Sequence, residues 1–169
     1  MAKDTPEGVR LATALGHAIE GTPWHGPSVR DLLDGVSALD AAARPIAGAH
    51  SIWEIVQHLT SWCDEVRRRL HEGDVREPAA GDWPEVPSTA DAARWQAAQD
   101  ALVASHDALA AQLAAASVGQ LDARIGDTRD APLGSGLSAR ATAWGIVQHA
   151  AYHAGQIALL KRALAARET

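Results

Sequence analysis

The chain has 169 residues, 47% hydrophobic and 21% charged, globular proportions that exclude a disordered or fibrous polymer. Its formal net charge of −6 leaves no broad basic surface to neutralise phosphates, which excludes nucleic acid as a partner. A lone cysteine, Cys63, an amino terminus MAKDTPEGVR without a basic-then-apolar leader, and apolar runs all broken short of about 20 residues predict a soluble cytoplasmic protein with no membrane span.

The length suits one domain over residues 1–169. Much of the apolar share is alanine, with six Trp, one Tyr and no Phe, a profile that favours helices packed around a few indole anchors. The first helix is expected from about Pro6 to Ile19, where Leu11, Leu15 and Ile19 recur at four-residue spacing. Beyond Thr22-Pro23-Trp24-His25-Gly26-Pro27, Ser28 can cap a short helix carrying Val29, Leu32 and Leu33, and Ser37 opens another that stops near Pro45.

Ser51-Ile52-Trp53-Glu54 reads as a capping box opening a long second helix, with apolar positions Ile55, Leu59, Trp62, Val66 and Leu70. Arg67, Arg68 and Arg69 suit the negative end of its dipole, and it ends near Glu72-Gly73. The stretch GDVREPAAGDWPEVPS cannot continue a helix and is expected as a surface crossover. From about Thr89 to Ala116 a third helix places Trp95, Leu102, His106, Leu109 and Leu113 on one seam. A loop from about Ser117 to Gly136 precedes the last helix, with Trp144, Val147, Ala151, Ile157 and Leu160 among its apolar positions. Four substantial helices without strand-like alternation predict an all-α four-helix bundle with short connecting helices.

The chemistry is expected where a phrase repeats. Trp53-Glu54-Ile55-Val56-Gln57-His58 returns as Trp144-Gly145-Ile146-Val147-Gln148-His149, so the second and fourth helices present matching faces with His58 and His149 at equivalent depth. His149 and His153 stand one turn apart on a single face, where both imidazoles can bind one ion, and His58 can supply a third ligand. Three ligands leave a coordination position open, as catalytic rather than structural zinc sites do. As ordinary core residues the same histidines would each need a buried hydrogen-bond partner that their apolar flanks do not offer.

Other candidates fall to geometry. Cys63 lies roughly 140° around the helix from His58 and is read as packing. Glu54 is explained by capping, His106 as a satisfied core histidine or outer group, and Tyr152 as packing.

GAHSIWEIVQHLTSW followed by IVQHAAYHAGQIALLKR resembles the two signature helices of the DinB-like superfamily, related to YfiT-type proteins. Pro23-Trp24-His25-Gly26-Pro27 is also similar to that group, and the similarity leaves only the two crossover loops unconstrained. The resemblance implies an up-down-down-up bundle, often dimeric, with a divalent ion on His58, His149 and His153. Zinc or nickel is implied first, manganese or iron as further options. Some relatives activate a low-molecular-weight thiol, as bacillithiol transferases and mycothiol-dependent maleylpyruvate isomerases do. The expected function is therefore a metal-dependent thiol S-transferase or hydrolase acting on a small molecule. The alternative is a metal-stabilised binding or stress-response bundle without turnover.

Overall fold

Seven α-helices form in the computed structural model, which describes residues 5–127 and 132–167. They are α1 (Glu7–Glu20), α2 (Val29–Leu33), α3 (Ala38–Ala42), α4 (Ile52–Glu72), α5 (Ala92–Ala115), α6 (Val118–Asp122) and α7 (Ala139–Ala165). Among the described residues there is no strand, only an isolated bridge between Arg124 and Ser138. Residues 128–131 of the expected second loop, and both extreme ends of the chain, lie outside the described residues.

Side-chain caps start nearly every helix. Ser28, Ser37, Ser51, Asp91, Ser117 and Ser138 each accept a hydrogen bond from an amide in the first turn of α2 to α7 respectively. At Ser51 the box is complete, because Glu54 accepts in return from the Ser51 amide at 2.7 Å. Gly73 ends α4 in the left-handed conformation, φ 77°, that a residue with a Cβ adopts only at a cost. The capping box Ser117-x-x-Gln120 adds α6 inside a stretch that sequence alone reads as loop.

Four long helices, α1, α4, α5 and α7, make the bundle, and their directions follow from which ends meet. A Cβ on Gly8 would lie 2.1 Å from the Leu113 carbonyl oxygen, so the start of α1 crosses the end of α5 at the closest approach glycine allows. Trp53 and Trp95, near the starts of α4 and α5, meet as tilted rings with centroids 5.2 Å apart, and Ser105 further along α5 donates to Asp64 further along α4, which makes those helices parallel. Arg69 near the end of α4 donates to the Leu133 carbonyl just before α7, so α4 and α7 are antiparallel. Arg140 in the first turn of α7 pairs with Glu7 in the first turn of α1. The order is up-down-down-up. Parallel neighbours α4 and α5 need a connection that travels the length of the bundle, about 30 Å for a 20-residue helix, and residues 73–91 supply it.

Two apolar clusters fill the interior. One joins Val56, Leu59, Leu102, Ala150 and Ile157, and the other joins Cys63, Val66, Leu109, Leu113 and Ile146. Between them lies a layer of imidazoles. His106 falls between Leu102 and Leu109 on α5, His149 between Ile146 and Ala150 on α7, and His58 just before the step from Leu59 to Cys63 on α4.

Matching faces on α4 and α7 do not carry equal burial. Trp53 is 1% exposed and its counterpart Trp144 is 39% exposed, so the apolar role expected of Trp144 in the last helix is not met. Tyr152, expected to pack, is 66% exposed and touches His153 only by a ring edge.

Candidate metal centre

His58 reaches inward from α4 while His149 and His153 reach inward from successive turns of antiparallel α7, and the three rings meet where the helices face. The Nε2 atoms of His58 and His149 are 2.9 Å apart, and those of His149 and His153 are 3.0 Å apart. All three residues form a group whose ligand atoms lie within 4.8 Å of one another and which could hold a metal ion.

The outer nitrogens fix which atoms face inward. His58 Nδ1 lies 2.6 Å from the Asp82 carbonyl oxygen, and His153 Nδ1 lies 2.7 Å from Gln156 Oε1. The Asp82 carbonyl can only accept and the Gln156 amide presents its oxygen, so in each neutral ring Nδ1 carries the proton and Nε2 presents a lone pair. Two such lone pairs converge on His149 Nε2, whose single proton could serve only one of them. A cation satisfies all three at once. Nitrogens about 2.0–2.1 Å from one tetrahedral ion stand roughly 3.3 Å apart, a modest opening from the 2.9 and 3.0 Å found here. The donor set therefore fits a divalent ion, and the sequence-predicted ligands are brought together.

Burial keeps the rings neutral, which is the form a metal requires. Loss of water, followed by repulsion from His153 and His58, pushes the His149 pKa down to about 3. Burial likewise lowers His153 to about 4, and it lowers His58 against the opposing pull of the Asp82 carbonyl and carboxylate.

The crossover after α4 is the largest departure from expectation. It is not a detached surface loop but a strap laid over the histidines. Its Asp82 carbonyl orients His58, and the Asp82 carboxylate accepts from Trp62 Nε1 at 2.6 Å. Trp83 is sandwiched between His50 and His58, with ring centroids 3.5 and 3.9 Å away. Ser61 donates to the Gly81 carbonyl at 2.6 Å, and the Gln57 amide, turned to donate, reaches the carbonyls of Pro84 and Glu85 at 3.0 Å each. Gln57 thus ties the strap to α4, whereas Gln148 at the matching position is exposed.

Beside the histidines a cavity of about 400 Å³ opens between α4 and α7, walled by His58, Trp62, Val66, Leu137, Ile146 and His149. Gly145 also borders it, and a Cβ there would meet nothing within 4 Å. Its charged lining is Asp82 of the strap and Arg69, 4% exposed, each of whose three nitrogens donates: Nε to Glu65 at 2.8 Å, Nη1 to the Leu133 carbonyl at 2.6 Å, and Nη2 to the Arg76 carbonyl at 3.1 Å. Arg69 therefore does more than complement the helix dipole; it ties the strap and the turn at Pro132–Gly134 to α4. A larger groove of about 960 Å³ between α1, α2 and α5 touches none of the three histidines.

The remaining candidates settle simply. Cys63 is fully buried and its thiol is pushed up to about 12 by burial, so it stays a packing group. Glu54 caps α4 and pairs with Arg44. His106 is 2% exposed and donates through Nδ1 to the Leu102 carbonyl at 2.8 Å, but its Nε2 meets no partner.

Fold and centre together define a helical-bundle protein with a three-histidine cluster able to hold a metal ion. The family model described as DinB superfamily matches residues 24–157, and the chain belongs to that superfamily. No curated protein and no solved structure matches it.

Proposed function

We propose that this protein is a divalent-metal-dependent enzyme of the thiol S-transferase or hydrolase type, with His58, His149 and His153 as ligands through Nε2. The observation that carries the reading is the convergence of three Nε2 lone pairs at the wall of an apolar cavity. When bound, the ion supplies a Lewis acid that turns a thiol or a water into a nucleophile near neutral pH. Imidazole donors suit zinc or nickel, with manganese or iron as less favoured occupants.

The chain's own residues orient and exclude. Asp82 holds the His58 ring by its backbone, Gln156 holds His153, and Trp83 covers the flat face of His58. Trp62, Val66, Leu137 and Ile146 give the cavity an apolar lining beside the histidines. With Arg69 paired to Glu65 and the Asp82 carboxylate accepting from Trp62, the cavity offers no free cation among the described residues to hold an anion, and an uncharged, largely apolar small molecule is the substrate it suits best, the cosubstrate being a low-molecular-weight thiol or water.

We assign the protein to the cytoplasm, where such thiols are kept reduced, and no helix among the described residues is long and apolar enough to cross a membrane. A homodimer is part of the same proposal: Trp144, Tyr152 and Leu159 point outward along one side of α7, an apolar face suited to a second copy. Light scattering on the purified protein checks the dimer. Zinc- or nickel-loaded protein screened with thiols and uncharged electrophiles checks the reaction. Turnover that needs the metal supports the enzyme reading, and full metal occupancy without turnover on any pair favours the purely binding bundle.

A further inference from the structure

Two buried polar atoms in the imidazole layer lack partners, and they are complementary. His106 Nδ1 donates to the Leu102 carbonyl at 2.8 Å, so in the neutral ring its buried Nε2 is a bare acceptor. On the other side of the bundle axis, His149 Nδ1 is equally buried and equally without a partner. Once His149 Nε2 is committed to a metal, its Nδ1 must carry the proton and is a bare donor. Both rings occupy the seam between the two apolar clusters, one from α5 and the other from α7, which face each other diagonally. The proximity is also electrical, since His106 adds to the repulsion felt by His149.

We infer that His106 is a positioning residue for the metal centre, accepting the His149 Nδ1 proton through Nε2, directly on closure of the layer or through one buried water. This rests on the three-histidine reading above and extends it to a residue outside the ligand set. His58 has the Asp82 carbonyl and His153 has Gln156 as outer partners; His106 completes the series for His149. An outer partner of this kind fixes ring orientation and raises ligand basicity, and its loss costs about 10–100-fold in metal affinity.

The test is zinc affinity, by competition with a chromophoric chelator, for wild type, His106→Phe and His106→Gln, with helical content and unfolding of each apoprotein recorded alongside. Phe removes the acceptor, whereas Gln restores one. The expected result is a 10–100-fold loss in H106F and recovery of most of it in H106Q. Nitrogen-15 spectra of zinc-loaded wild type should show His106 protonated at Nδ1 and bare at Nε2. A folded H106F with wild-type affinity, equal losses in both variants, or a zinc-loaded wild type with His106 protonated at Nε2 would each overturn the inference, the last without any variant. Wild type that takes up no zinc overturns the metal reading itself, a result distinct from a loaded wild type indifferent to residue 106.

Discussion

Replacing Arg69 with methionine removes a side chain that joins α4, the strap and the turn before α7. Arg69 and Glu65 are 4% and 3% exposed, so screening by solvent is small and the pair behaves as a buried one. Truncating one member of a buried pair typically costs about 3–5 kcal/mol because a charge is left uncompensated. Here Glu65 keeps Arg68 at 2.7 and 2.8 Å, which holds its carboxyl below the usual range against burial, so that part of the penalty shrinks. The carbonyls of Leu133 and Arg76 lose their donors, at about 1–3 kcal/mol for each that stays dry. The sum is about 3 kcal/mol, or roughly 6–12 °C in melting temperature for a chain this long. Thermal unfolding of metal-free Arg69→Met, followed by circular dichroism, measures it. A variant within about 1 kcal/mol of wild type would refute the reasoning, since Arg69 would then be neither buried nor tying the segments together.

Gly145→Leu should fill the cavity from an open position, leaving metal content intact while abolishing turnover of any substrate found; helical Gly costs about 1 kcal/mol relative to better helix formers, so the melting temperature should not fall. His106 titrates at about 4 when folded and near 6.5 when unfolded, so between those values the unfolded chain binds the extra proton and stability falls as pH drops. Its full share is roughly 3 kcal/mol, and urea unfolding at pH 7, 5.5 and 4.5 should show His106→Phe losing less stability across that window than wild type does. Cys63 should resist thiol reagents in the native state and react at once in denaturant, and Cys63→Ala should keep its metal.

Legibility in the sequence followed the range of the interaction. The Trp–Gln–His repeat and the one-turn spacing of His149 and His153 were enough to find the ligand candidates, because helical periodicity converts spacing into direction. The starts of α2, α3 and α4 were legible for the same reason, Ser28, Ser37 and Ser51 each capping within three residues, whereas the caps at Asp91, Ser117 and Ser138 were not read. The strap was not. Asp82 works on His58 through its backbone carbonyl, which carries no side-chain signature, and Gly81, Pro84 and Glu85 also contribute only carbonyls. That the crossover must run the length of the bundle follows from α4 and α5 being parallel, a tertiary fact that periodicity cannot supply. The repeat also overstated symmetry: Trp53 lies against Trp95 in the core, whereas Trp144 has solvent over it. Arg69 read as a dipole-compensating charge because its two carbonyl partners are 7 and 64 residues away.

The central claim is that His58, His149 and His153 hold one divalent ion. Elemental analysis of the purified protein beside His58→Ala and His153→Ala tests it most directly, with zinc, nickel, manganese and iron measured together. Near-stoichiometric metal in wild type that collapses in both variants, while their helical content persists, is the result the account predicts. Wild type that stays empty after reconstitution with each metal, or metal content unmoved by either substitution, would contradict it.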